Sequence, residues 1–117
     1  MTEPRGVPAR VICHLTARIW GVTAEDILAP RNGRKNKIAL SRARWAAVAT
    51  IREVRPDLSF PVIARIVGYR DVKALWRARQ MVRALSADPS FADKLDQVRA
   101  LIAEWKPADQ VAGEIAA

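Results

Sequence analysis

The chain has 117 residues, half of them hydrophobic, which is enough for one domain around one modest core and too apolar for a disordered segment. Twenty Lys and Arg against twelve Asp and Glu give a formal charge of +8 and a pI near 10.8, a balance that favours a polyanionic partner. A single cysteine excludes an internal disulfide, and a lone His14 without Cys, Asp or Glu at ligand spacing excludes a zinc site. No apolar run approaches the ~18 residues that cross a bilayer, and MTEPRGVPAR lacks the hydrophobic core of a leader, so a cytoplasmic protein with no membrane partner is expected.

Residues 1–6 are polar and unpatterned and read as a flexible arm in which Arg5, with Arg10 just beyond it, can touch phosphate. From Val7 to Trp20 the apolar residues Val11, Ile12, Leu15, Ile19 and Trp20 fall at helical spacing, and Gly21 ends that helix. Cys13 on it reads as a structural thiol. Thr23 is an N-cap for a short second helix, with Glu25 and Asp26 in the first turn and Ile27 and Leu28 as its buried edge. PRNGRKNK, residues 30–37, then places Arg31, Arg34, Lys35 and Lys37 around an Asn32-Gly33 turn. Such a run is ordinarily a solvated connection; beside a DNA-reading helix it would lie on phosphates or enter a minor groove.

The longest helix spans 38–54 and is apolar or small on nearly all sides, which predicts the central strut of a small bundle with Trp45, Val48, Ala49 and Ile51 in the core. Arg42 and Arg44 on it either meet phosphate or pair with an acid. Pro56 and Asp57 end it. LSFPVIARIVGYRDVKALWRARQMV, residues 58–82, reads as two short helices joined by a tight turn, the pattern of a helix-turn-helix. Ser59 caps the first helix, Pro61 lies in its first turn and Ile63, Ile66 and Val67 face inward. Gly68 supplies the left-handed stop, and Asp71 caps a second helix that begins near Val72. Leu75, Ala78, Val82 and Leu85 make the inward stripe of that helix, leaving Lys73, Trp76, Arg77, Gln80 and Arg83 outward. Basic and amide side chains on the outer side of a second helix suit a major groove.

Residues 87–90 read as a turn, with Ser90 capping a last helix whose stripe is Phe91, Leu95, Val98, Leu101, Ile102 and Trp105. Packing on the first helix is the plain account of that stripe, and a partner-binding helix the alternative. Residues 107–117 read as a flexible tail. The chain carries no glycine-rich phosphate loop and no Ser/His/Asp or Cys/His constellation, so a binding protein without enzymatic activity, cofactor or small-molecule substrate is expected.

The segment 58–75 resembles the helix-turn-helix of the DNA-binding C-terminal domain, domain IV, of the bacterial replication initiator DnaA, a Trp-repressor-like fold. That family has a Ser-Leu-Pro-x-Ile-Gly opening, a Phe-Gly-Gly-Arg-Asp turn and a His-Thr-Thr-Val start to the recognition helix. Ser59, Pro61, Ile63, Gly68, Arg70 and Asp71 match, Phe60 and Ala64 are close replacements, and Val72, Lys73 and Ala74 stand where the family has His-Thr-Thr. WGVTAEDIL, Arg44 and the Arg52-Glu53 pair extend the resemblance upstream, so that it covers about Val7 to Lys106. The basic loop, which contacts DNA in that family, is longer here, and Arg34 is the candidate for the minor groove.

The resemblance implies an all-α bundle of about six helices that binds double-stranded DNA. In that frame Lys73, Arg77 and Gln80 read base edges, Val72 and Ala74 meet thymine methyls, and Asp71 either accepts from a cytosine amino group or caps its helix. Phe60, Pro61, Arg70, Arg42, Arg44 and Arg83 would hold the DNA backbone, which fixes register without reading sequence. The departure at 72–74 implies a site different from the initiator's. A domain of this kind without the motor further implies a transcription regulator in the nucleoid, similar to activators of phage-like gene clusters such as gene transfer agents, working with RNA polymerase or a second regulatory protein. The alternative is a nucleoid-associated or RNA-binding protein without sequence preference.

Overall fold

A computed structural model of the protein describes residues 7–28, 37–69 and 71–106, with Lys37 as backbone alone. Among them the chain forms six helices and no strand: α1 (Ala9–Trp20), α2 (Ala24–Leu28), α3 (Lys37–Val54), α4 (Phe60–Ile66), α5 (Lys73–Leu85) and α6 (Pro89–Glu104). The all-α bundle of about six helices expected from the sequence is therefore what the described residues build. No helix among the described residues is long and apolar enough to cross a membrane. The flexible arm at 1–6, most of the basic loop, Arg70 and the tail at 107–117 lie outside the described residues.

Helix α3 organises the bundle. It packs along α1 on one side and along α5 on another, while α2, α4 and α6 make smaller contacts with it. Ala43, Ala46, Ala47, Val48, Thr50 and Ile51 are all buried, and four of these six are no larger than threonine. Small side chains let neighbouring helix axes approach closely, so two helices can share one strut. Trp45 packs on the core from its edge and Ala49 is half-buried, so the centre of α3 is built from smaller residues than the sequence suggested. Thr50 sits buried without penalty because its hydroxyl donates to the carbonyls of Ala46 (2.9 Å) and Ala47 (3.2 Å). Thr16 on α1 does the same to Ile12 at 2.7 Å.

The helix ends follow local chemistry. Gly21 and Gly68 are the glycines with positive φ among the described residues, 71° and 80°, and each lies where a helix stops. After α4 the Gly68 N–H donates to Arg65 O and the Tyr69 N–H to Ala64 O, the paired closure that a left-handed residue makes possible. Thr23 Oγ1 accepts from the Asp26 N–H at 3.1 Å, opening α2. Arg55 grips Asp57 with two nitrogens (3.0 and 2.9 Å) and donates to the Val7 carbonyl at 3.2 Å, which ties the end of α3 to the entry of α1.

Helix α6 lies against α1, burying Phe91, Leu95, Val98 and Ile102, and Phe91 meets Trp20 edge to face with ring centroids 5.4 Å apart. Its stripe serves the core, the plainer of the two readings. The cap is Asp88 rather than Ser90: the Asp88 carboxylate accepts from the Ser90 N–H at 2.9 Å. Pro89 explains the shift, since proline is favoured at the first helical position and leaves the preceding residue as the cap.

Cys13 is fully buried at the α1 core face, and burial pushes its thiol from an ordinary 9.0 up to about 12. A thiol-modifying reagent at neutral pH should therefore leave the native protein unmodified and react once denaturant is added. Because the folded pKa is the higher one, this group's contribution is intact below about pH 9 and is lost as pH rises toward about 12. Urea titrations across that window should show a fall that is smaller in Cys13→Ala; rapid native modification would contradict the buried placement.

Candidate nucleic-acid interface

The connection between α4 and α5 is set by three side chains. Ser59 takes the N-cap of α4, its hydroxyl oxygen 3.4 Å from the Val62 N–H, with Pro61 in the first turn. Asp71 then opens α5. Its Oδ1 accepts from the Lys73 N–H at 2.9 Å, while the carbonyls of Asp71 and Val72 accept from Ala74 (3.1 Å) and Leu75 (2.9 Å) in a tightened first turn. Of the two roles open to Asp71, the structure shows the cap.

The inward stripe of α5 lies as expected, with Leu75 and Ala78 buried and Val82 and Leu85 against the core. The residues opposite are Lys73, Trp76, Arg77, Gln80 and Arg83, all exposed. A helix held by one flank alone presents the other as a continuous ridge, and this ridge bears no acid between Lys73 and Leu85. Val72 and Ala74 are half-buried at its entrance.

The remaining predicted contacts divide. Pro61 and Arg83 are exposed and Arg42 is half-buried. Arg44 is not available: it is 4% exposed, and its guanidinium donates to Asp26 O at 2.7 Å and Ile27 O at 3.3 Å. It serves as a buried clasp on the carbonyl end of α2, where the helix dipole favours a cation, and is withdrawn from the phosphate-contacting set. Hydrogen bonds from a charged donor each contribute about 1.5–3 kcal/mol, so its role is structural. Arg31, Arg34, Lys35 and Arg70 fall outside the described residues, as does the side chain of Lys37.

Phe60 does not stand alone as a surface contact. Its ring meets Trp76 edge to face at 5.4 Å and 83°, with Arg52 Cζ 4.7 Å and Arg79 Cζ 5.6 Å from its centroid. Arg79 also lies 5.2 Å from the Trp76 ring. Neither Arg52 nor Arg79 was among the DNA contacts expected from sequence, although the Arg52-Glu53 pair was part of the resemblance. The i, i+3 spacing of Trp76 and Arg79 was a legible signal, whereas the approach of Arg52 on α3 to Phe60 on α4 is tertiary.

Charge is distributed unevenly along the chain. Residues 29–85 carry fourteen Lys and Arg against three Asp and Glu, while the rest carry six against nine. The positive excess therefore belongs to the stretch that includes α3, α4 and α5. Among the described residues no group of three or more His, Cys, Asp or Glu is placed to hold a metal ion. A scan against protein-family models finds no match for the sequence.

The cap makes a direct prediction. Asp71→Ala should destabilise the protein by about 1 kcal/mol in urea unfolding, and Asp71→Asn by much less, since both Asp and Asn are strong N-caps. Equal losses in the two variants would contradict the capping role.

Proposed function

We propose that the protein binds double-stranded DNA sequence-specifically through α5 and acts as a transcription regulator. The observation that carries this is the acid-free ridge of Lys73, Arg77 and Gln80, exposed on a helix whose other flank is buried against α3. Major grooves admit one α-helix, and Lys, Arg and Gln supply the donors that distinguish guanine and adenine edges. The net charge of +8, concentrated between residues 29 and 85, supplies the attraction to phosphate that precedes reading.

In this reading Lys73, Arg77 and Gln80 meet base edges, Val72 and Ala74 border thymine methyls, and Pro61 and Arg83 lie beside the backbone. Asp71 fixes the angle at which α5 begins. The basic loop, with Arg31, Arg34, Lys35 and Lys37, and Arg70 belong to the same proposed contact surface on the strength of sequence alone. The resemblance of 58–75 to the DNA-binding domain of DnaA supports the docking mode, and the Val72-Lys73-Ala74 departure supports a different target sequence. Its further implication is an activator of a phage-like gene cluster that engages RNA polymerase or a second regulator.

Selection from random duplex DNA is the test: enrichment of one short motif is expected, and no enrichment would favour a nucleoid-associated or RNA-binding role instead. On the enriched motif Lys73→Ala and Arg77→Ala should each cost ~1–3 kcal/mol and relax preference at one position. A loss of the same size on scrambled duplex would contradict base reading by those residues.

A further inference from the structure

On the flank of α5, Phe60 is approached by two guanidinium groups, Arg52 from α3 and Arg79 from α5, and Arg79 is also over the ring of Trp76. The two guanidinium carbons can be no further apart than those ring distances laid end to end. Among the described residues neither arginine has a carboxylate within ion-pair distance, while Arg55 and Arg99 do. Two cations on one flank with no carboxylate beside them keep their N–H donors available to an external anion. A guanidinium that lies over an aromatic ring still carries several N–H donors, which suit bidentate contact with phosphate.

Trp76 is 51% exposed and, with Ile38, is one of two large exposed hydrophobics among the described residues. Its indole makes a T-shaped contact with the Phe60 ring and lies against the Arg79 guanidinium. Helical geometry places Arg79 about 110° round α5 from the ridge of Lys73 and Gln80. A helix with that ridge on the floor of a major groove turns such a flank toward the groove wall, which is made of phosphates.

We propose that Arg52 and Arg79, held by the rings of Phe60 and Trp76, form a preorganised clamp for the phosphodiester backbone of duplex DNA. The clamp rests on the duplex-binding reading above and adds two contact residues, Arg52 and Arg79. Phe60 becomes a positioning residue rather than a contact.

The test is the salt dependence of binding by the full chain, measured by fluorescence anisotropy with a labelled random-sequence duplex and with the selected motif, between about 50 and 200 mM salt. Arg79→Ala should make the log–log slope shallower by about 0.9, and Arg52→Ala with Arg79→Ala by about 1.8, equally on both duplexes. Phe60→Leu removes no charge, and it should weaken both duplexes alike. An unchanged slope in a double variant that retains its helical circular dichroism overturns the clamp, and Arg79→Ala alone, at an exposed position, carries the test if the double variant unfolds. Wild-type binding by Phe60→Leu overturns the positioning role. A slope change seen on single-stranded RNA but not on duplex also overturns the proposal. If the clamp fails while Lys73 and Arg77 still discriminate sequences, the groove reading stands; a slope change without any preferred motif leaves the clamp and removes the reading.

Discussion

Two flanks of α3 are occupied at once, by α1 and by α5, and small side chains make this possible. Ala43, Ala46 and Ala47 are fully buried, so any larger side chain there would push a neighbouring helix outward. The orientation of α5 follows from that packing. Leu75 and Ala78 are sealed against the core, and Lys73, Arg77, Gln80 and Arg83 on the far flank are exposed. The buried flank of α5 against α3 thus decides the direction in which Lys73 and Arg77 point.

Polar side chains lock this arrangement rather than create it. Arg44 reaches from α3 to the carbonyls that end α2, Arg55 from the end of α3 to Val7 before α1, and Arg99 from α6 to Glu53 on α3. The first is buried and its loss would leave carbonyls without their donor. The Arg99–Glu53 pair is nearly half exposed on both sides and adds little, as surface ion pairs do. Arginine accordingly has two roles in this chain: some guanidiniums fasten helices together, and those on α5 remain outside.

Much of the fold was legible because it is local. Gly21, Gly68, Thr23 and Ser59 announce helix ends through their own conformational and hydrogen-bonding preferences, and all four act as expected. The stripe of α5 follows from its spacing. Asp88 was missed in favour of Ser90 although Pro89 marks the first helical position, so that error was avoidable. Arg44 was not avoidable. Its partners are 17 and 18 residues away, and a periodic pattern cannot tell an arginine that clasps a neighbouring helix from one that faces solvent. The same holds for Arg52, whose aromatic partner belongs to α4.

The proposed function depends on which surface of the protein meets nucleic acid. Backbone amide resonances of isotopically labelled protein, followed during titration with a duplex, address this most directly. Shifts should concentrate at Ser59 and Phe60 and on the outward side of α5, from Lys73 to Arg83, while α1 and α6 stay unchanged. Shifts centred on α6 or the exposed edge of α1, with α5 silent, would contradict the proposed function.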